Sequence, residues 1–159
     1  MRKTGRLCLL VVAVVAVVAA FAAPSLASGG ATIVRQSVVG STLTCNGADF
    51  NITAGDLQIV THETLTPSGA YHVIVEGTAQ GVKAVSPSGA IYQAPGGFWI
   101  EVNVTPGATV MTDTGRFNVI GQGAAPNFTA GMVVHTTVDA NGNVTAVVDH
   151  ITATGDCVP

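Results

Sequence analysis

Positively charged residues are scarce in this chain, which has 6 lysine and arginine residues against 9 aspartate and glutamate residues. Half of the basic residues lie at the extreme N-terminus, at Arg2, Lys3 and Arg6. The chain after residue 27 therefore has 3 basic and 9 acidic residues, a net charge of −6. Because nucleic acids and anionic membrane surfaces are bound mainly through clustered lysine and arginine, this composition argues against both as partners.

The motifs of several common enzyme classes are also missing. The sequence has no Gly-x-Ser-x-Gly elbow of the α/β-hydrolases. Gly121-Gln122-Gly123 is too short for a phosphate-binding loop, and no helical pattern follows it. The carboxylates are scattered, without the facing pair that glycoside cleavage needs. These absences favour a protein without catalytic function and without a cofactor.

Long apolar runs are limited to one, from Leu7 to Ala23, which follows the basic N-terminal residues. Pro24 ends this run, and Ser25-Leu26-Ala27 puts small residues at the positions that precede a cleavage after Ala27. This order is that of a secretory signal peptide. At 17 residues, the run is shorter than the roughly 20 needed to span a bilayer. We therefore predict a signal peptide at 1–27 and a secreted, extracellular protein with no membrane segment after its removal.

Cysteine is rare as well, with residues at Cys8, Cys45 and Cys157. Cys8 would be removed with the signal peptide. Two cysteines in an oxidising compartment most simply form one disulfide, so Cys45 and Cys157 are expected to be joined. A redox-active pair is disfavoured, since such cysteines usually lie close together in sequence.

The remaining chain has alternating apolar and polar runs between Gly, Pro, Asn and Asp residues, which is typical of β-strands. Asp56–Thr66 and Tyr71–Ala79 are separated by Pro67-Ser68-Gly69 and predict a hairpin. A strand or a leader is expected at Thr32–Val39, and another strand around Cys45. Further short strands are predicted at 82–85, 90–93, 98–104, 108–111 and 116–121, with a turn at Asp113-Thr114-Gly115.

The last hairpin is the clearest, because Phe128–Val138 and Asn143–Thr152 flank Asn141-Gly142. Asn-Gly favours a tight hairpin turn, since both residues tolerate positive φ. The turn sets odd positions of one strand against even positions of the other. His135 and His150 are therefore expected on the same sheet face.

About eight strands joined by short turns indicate an all-β protein, with an antiparallel up-and-down barrel favoured over a β-sandwich. We expect an N-terminal leader or edge strand at 28–41 and one barrel domain at 42–159. A Cys45–Cys157 link would bring the first strand of the domain close to the last, as closure requires.

Several short segments of the sequence form a recurring set: Cys45-Asn46-Gly47, Gly55-Asp56-Leu57, Gly69-Ala70-Tyr71-His72, Ser88-Gly89-Ala90-Ile91-Tyr92, the run from Arg116 to Gly123, Asn127-Phe128, His135-Thr136-Thr137, the run from Asn141 to Ala146, and Cys157. In these segments the sequence resembles a group of small exported proteins of high-GC Gram-positive bacteria that have no characterised function. The resemblance covers nearly the whole chain after the signal peptide and implies a secreted all-β domain, and it transfers no catalytic residues to this chain. In overall shape, the pattern is also similar to lipocalin-like or allene-oxide-cyclase-like barrels.

Candidate ligand contacts are few. Imidazole suits extracellular Zn²⁺ or Cu²⁺, but no two histidines have a His-x-His spacing, so no metal site is predicted. Phe98 and Trp99 are adjacent and should point to opposite sides of their strand. Trp99 is favoured as a core residue, with a ligand contact beside Tyr92 as the alternative. The candidates for ligand or weak metal contacts are His62, His72, His135, His150, Tyr92 and Trp99.

Three functions remain open after this reading. The first is a non-catalytic module that binds a ligand or an extracellular protein at its surface. The second is a carrier that holds a small apolar ligand in the barrel mouth. The third is an isomerase or cyclase that uses a histidine or glutamate in the barrel cavity as a base.

Overall fold

The computed structural model of the protein describes residues 30–45 and 47–155, without the side chain of Ile151. The signal peptide predicted at 1–27 and Cys157 of the predicted disulfide lie outside the described residues. In the described part, no helix is long and apolar enough to cross a membrane.

The described residues form nine β-strands, which confirms the all-β prediction. β1 lies within the segment 28–41, where a leader or an edge strand was expected. Turns at Gly69, Gly89 and Gly142, each with positive φ, connect several of the strands. The strands are β1 Thr32–Ser37, β2 Thr42–Cys45, β3 Ala48–Leu65, β4 Tyr71–Val85, β5 Ile91–Gln93, β6 Gly96–Val104, β7 Ala108–Gly121, β8 Phe128–Asp139 and β9 Val144–Gly155.

All strand pairs are antiparallel and belong to one sheet. The path runs β1-β3-β4-β5-β7-β8-β9, with β2 also on β3 and β6 also between β4 and β7. β1 and β2 thus form one interrupted strand beside β3, and β5 and β6 form another between β4 and β7. This up-and-down order is the one that the successive hairpins predicted.

β7 is the main departure from the sequence prediction, because the turn predicted at Asp113-Thr114-Gly115 is wrong. Residues 108–121 form one strand that pairs on both sides, with Asp113 opposite Ile100 of β6 and Val134 of β8. Turn-forming residue types express a weak local preference, which ladder pairing on two sides overrides. Similarly, 71–79 and 82–85 were expected as two strands but are parts of β4.

The core lies at one end of the sheet and shows that the sheet is curled. Phe50 of β3 and Phe128 of β8 have ring centroids 5.3 Å apart, and Tyr92 of β5 lies 5.2 Å and 6.0 Å from them. β3 and β8 are separated by four strand-to-strand steps, which would span about 19 Å in a flat sheet. The sheet must therefore bend toward the side that carries these three rings, which we call the concave face.

The strand registers extend this face along the sheet. Val119 pairs with Phe128 and shares its side, and every second residue back along β7 as far as Asp113 shares it too. Asp113 in turn faces Ile100 of β6 and Val134 of β8. The concave face therefore continues from the aromatic core to the hairpin tips at the other end, and the opposite side is the convex face.

Gly55 sits where β3 changes register with β4, between Ala54 and Asp56. Its φ is +106°, and an added Cβ would lie 2.5 Å from the Cα of Val82. We expect Gly55→Ala to lower the free energy of unfolding by about 2–3 kcal/mol, because conformational strain and a backbone clash add together. Gly40 has φ +87° with open space around it, so Gly40→Ala should lose only about 1 kcal/mol. Equal losses in urea unfolding would show that the close approach of β3 and β4 has no energetic effect.

Candidate functional site

All four histidines lie on the convex face. Opposite residues in neighbouring strands point to the same side, and the register runs from His62 through Ile74, Glu101 and Thr112 to His135. His72 is two residues from Ile74 along β4, which places it on the same side. The histidines therefore form two diagonal pairs, His62 with His72 and His135 with His150.

The register of the last hairpin confirms that His135 and His150 share a face. His135 is opposite Val148, and His150 is opposite Val133. A register shift lies between Thr137 and Val138, close to the turn. From Thr137 to Phe128, odd positions pair with even positions, as predicted.

The first histidine pair is linked to a carboxylate. His72 Nε2 lies 3.0 Å from Glu101 Oε1, and Asn103 Nδ2 donates a hydrogen bond of 3.0 Å to the same oxygen. The hydrogen bond from Asn103, followed by that from His72, lowers the pKa of Glu101. Glu101 is thus held as a carboxylate whose interacting oxygen already has two partners, which makes it a structural group of the sheet surface rather than a base.

The second histidine pair contacts a hydroxyl group. Thr112 Oγ1 and His135 Nδ1 are 3.0 Å apart, across the β7–β8 ladder. His72 and His135 are three strand-to-strand steps apart, or about 14 Å across the strands, and are further offset along them by two residues. In the described part of the chain, no group of three His, Cys, Asp or Glu residues could hold a metal ion.

The two aromatic candidates lie in different parts of the molecule. Tyr92 is 1% exposed and packs in the core against Phe50 and Phe128, so it cannot form a surface contact beside Trp99. The adjacent residues Phe98 and Trp99 do point to opposite sides. The ring of Phe98 covers Gly77, whose added Cβ would lie 2.1 Å from it. The expectation that Trp99 is a core residue is wrong, because it lies half-buried on the convex face.

Two neighbouring depressions have volumes of about 520 Å³ and 300 Å³, and Trp99 lines the larger one. Both are open to solvent and include Arg116 and Val133. Glu76 lines the larger one and His150 the smaller one. Arg116 is opposite Gly97 in β6 and opposite Gly131 in β8. Because neither glycine has a side chain, the surface is indented beside Arg116. The depressions are too shallow to enclose a small molecule.

The concave face differs in chemistry, because its open half carries mainly aliphatic side chains. Ile100 is 3% exposed, whereas its neighbours on this face are half-buried and accessible. They belong to β4, β6, β7 and β8. The half-buried aliphatic residues are Val73, Val75, Val102, Val104, Met111, Met132, Val134 and Val138.

Asp113 lies in the middle of this aliphatic surface, between Ile100 and Val134. One oxygen, Oδ1, is buried and accepts no hydrogen bond from any residue that the structure describes. Burial raises the pKa of Asp113 to about 6. Sequence reasoning missed this residue because the turn-like triplet concealed the period-two pattern of Met111, Asp113, Gly115 and Phe117.

Among the described residues, basic side chains occur on the convex face only. The basic residues of the described part, Arg35, Lys83 and Arg116, share the convex side with the histidines. Facing the concave side are Glu63 and Asp149 as well as Asp113. At the open end, burial raises the pKa of Tyr71 to about 12, and the neighbouring Glu63 carboxylate adds to this shift. The concave face is therefore aliphatic with acidic groups only.

The comparisons with known proteins give no match: no family model, no curated protein and no solved structure is similar to this chain.

Proposed function

We propose that this protein is a secreted, non-catalytic binding module that takes an apolar or amphipathic molecule on the concave face of its sheet. The single observation that carries the proposal is the accessible aliphatic surface of β4, β6, β7 and β8 on that face. Contiguous exposed apolar surface is costly in water and marks interaction sites in soluble proteins.

The shape of the curled sheet supports this assignment. Phe50, Tyr92 and Phe128 fill one end of the concave face, so a ligand has access only to the other end. A concave apolar surface with few polar groups is the usual form of a small-molecule site. The proposal thereby combines two of the functions that the sequence left open, the binding module and the carrier.

We further propose that the sheet closes into a barrel and that a disulfide between Cys45 and Cys157 links its two ends. Cys45 is 2% exposed and belongs to the same buried cluster as Phe128. Phe128 pairs with Gly155, which precedes Cys157 by two residues. The end of β9 thus approaches the cluster that contains Cys45. The signal peptide proposed at 1–27 would deliver the chain to a compartment where this bond forms.

The division of groups between the faces favours binding over catalysis. An isomerase or cyclase needs a base that faces its substrate, with a second group close by. Asp113, the carboxylate with the raised pKa, has the aliphatic residues Ile100 and Val134 directly opposite it, and all four histidines lie on the convex face. Glu63 shares the concave face but is three strand-to-strand steps from Asp113 along the sheet, so the two carboxylates do not form a pair.

A neutral fluorescent probe, Nile red, tests the concave site. The full chain, expressed with its own N-terminal segment and purified from the medium, is expected to bind the dye saturably with a blue shift. Val102→Lys places a charge on the concave face and should weaken binding at least tenfold, because the ammonium group would be desolvated by the dye.

Val133→Lys is the matched control, since Val133 is 43% exposed on the convex face. It should change the dissociation constant less than twofold. Circular dichroism checks that both variants keep the β-sheet spectrum. Absence of saturable binding to the wild type, or equal losses in the two variants, would refute the proposed site.

A further inference from the structure

We propose that the ligand of the concave face is a cationic amphiphile, an aliphatic molecule with an ammonium group that pairs with Asp113. This inference rests on the proposed function and adds the chemical class of the ligand. Three observations carry it: the position of Asp113 within the aliphatic surface, its buried and unpaired oxygen, and the sign of the charges on this face.

The Asp113 carboxylate lies among aliphatic side chains. Asp113 has Ile100 and Val134 directly opposite it and Met111 two residues away on the same face. A molecule lying on these aliphatic side chains would bring any polar group of its own within reach of Asp113. The carboxylate thus marks where the polar end of an amphiphile would lie.

The hydrogen bonding of Asp113 is incomplete within the described residues. Oδ1 of Asp113 is buried, yet no residue in the described ranges donates a hydrogen bond to it. A buried carboxylate oxygen without a donor is unfavourable. Because Asp113 as a whole is only half-buried, an ammonium group on the concave face can reach its carboxylate, and the charge and donors of that group would offset the cost of the buried oxygen.

The charged side chains on the concave face of the described part are all acidic. The titratable groups that share the concave face with Asp113 are Glu63 and Tyr71 at the open end and Asp149 across Val134. Together with Asp113, the two other acids make the face negative, and the described basic residues all point to the convex side. An anionic amphiphile such as a fatty acid is therefore repelled, whereas a cation is attracted.

Calorimetric titration with three ten-carbon probes below their micelle concentrations tests the inference at pH 7.5. The probes are decylammonium, decanol and decanoate, which share an aliphatic chain and differ in the charge of the head group. We expect decylammonium to bind at least tenfold more tightly than decanol, and decanoate to bind most weakly. Asp113→Asn should reduce the preference for decylammonium to less than threefold and leave decanol binding unchanged.

The dependence on pH gives a second readout that needs no variant. Decylammonium stays protonated throughout, whereas Asp113 is ionised only above its pKa of about 6. Its affinity is therefore expected to fall by up to about tenfold from pH 7.5 to pH 5, while decanol affinity stays constant. Asp113→Asn should remove this dependence.

The outcomes separate the inference from the proposed function. Absence of decanol binding would refute the concave apolar site itself. Binding of decanol without a preference for decylammonium would refute only the cationic ligand. Glu63→Gln and Asp149→Asn are matched controls on the same face, and a loss of the preference in either of them but not in Asp113→Asn would overturn the assignment to Asp113.

Discussion

Phe50→Ala is expected to lower the free energy of unfolding by about 3–5 kcal/mol, the range observed when a buried phenylalanine is truncated. Phe50 is 0% exposed, and its ring lies 5.2 Å from Tyr92 and 5.3 Å from Phe128. The substitution removes the contact that joins β3 to β8 across the curl of the sheet. Because the cavity would be lined by two large rings on separate strands, little relaxation can fill it. Urea unfolding followed by circular dichroism measures the effect.

Two matched variants show whether the loss comes from the aromatic cluster. Phe50→Leu keeps most of the buried apolar volume and should lose about 1–2 kcal/mol. Leu65→Ala removes a side chain that is 60% exposed and should change stability by less than about 0.5 kcal/mol. A loss below 1 kcal/mol for Phe50→Ala, or a loss equal to that of Leu65→Ala, would contradict the view that this cluster holds the curl.

Local sequence signals predicted the hairpins well. The last one was specified by Asn141-Gly142 between two alternating runs, and its register placed His135 and His150 on one face. These features depend on neighbours within a few residues, because turn geometry and period-two alternation fix them locally. The same signals correctly set Phe98 and Trp99 on opposite sides of their strand.

Which side is concave could not be predicted, because it depends on contacts between strands that are distant in sequence. The direction of the curl follows from Phe50 meeting Phe128, and no local pattern joins these residues. This direction decides that Phe98 lies on the concave face and Trp99 on the convex face. It also turns Asp113 from a residue of an expected turn into the polar group of the aliphatic face, since the ladder with β6 and β8 continues through it.

β1 and β9, the two end strands of the sheet, bury little apolar surface, so a disulfide near the end of β9 would add stability to the fold. β1 and β9 are the two ends of the sheet path, and the residues of both strands are exposed, apart from the undescribed side chain of Ile151. Val144, Val147 and Val148 of β9 are each 58–59% exposed. Such a strand gains little from apolar burial, so its attachment depends on its ladder with β8 and on whatever constrains its end.

Reduction of the proposed Cys45–Cys157 disulfide is therefore expected to lower the free energy of unfolding by about 4–5 kcal/mol. The bond would close a loop of more than 100 residues, and the loss of unfolded-chain entropy grows with loop length. The measurement compares urea unfolding of the oxidised protein with that of the same protein in dithiothreitol. Cys157→Ser should unfold at the midpoint of the reduced wild type and should not respond to the reductant.

Cys157→Ser is the sharper variant because Cys45 is itself a buried core residue. Cys45→Ala would mix the loss of the bond with a loss of packing, whereas Cys157→Ser leaves the Cys45 side chain in place.

Alkylation before and after reduction gives the independent readout, since a joined pair adds no label until it is reduced. If both thiols were labelled in the oxidised, unfolded protein, or if the reductant left the unfolding midpoint unchanged, the end of β9 would have to be anchored by its ladder with β8 alone. The exposed faces of that strand make this a weak attachment, so the proposed closure of the sheet at this edge would be refuted.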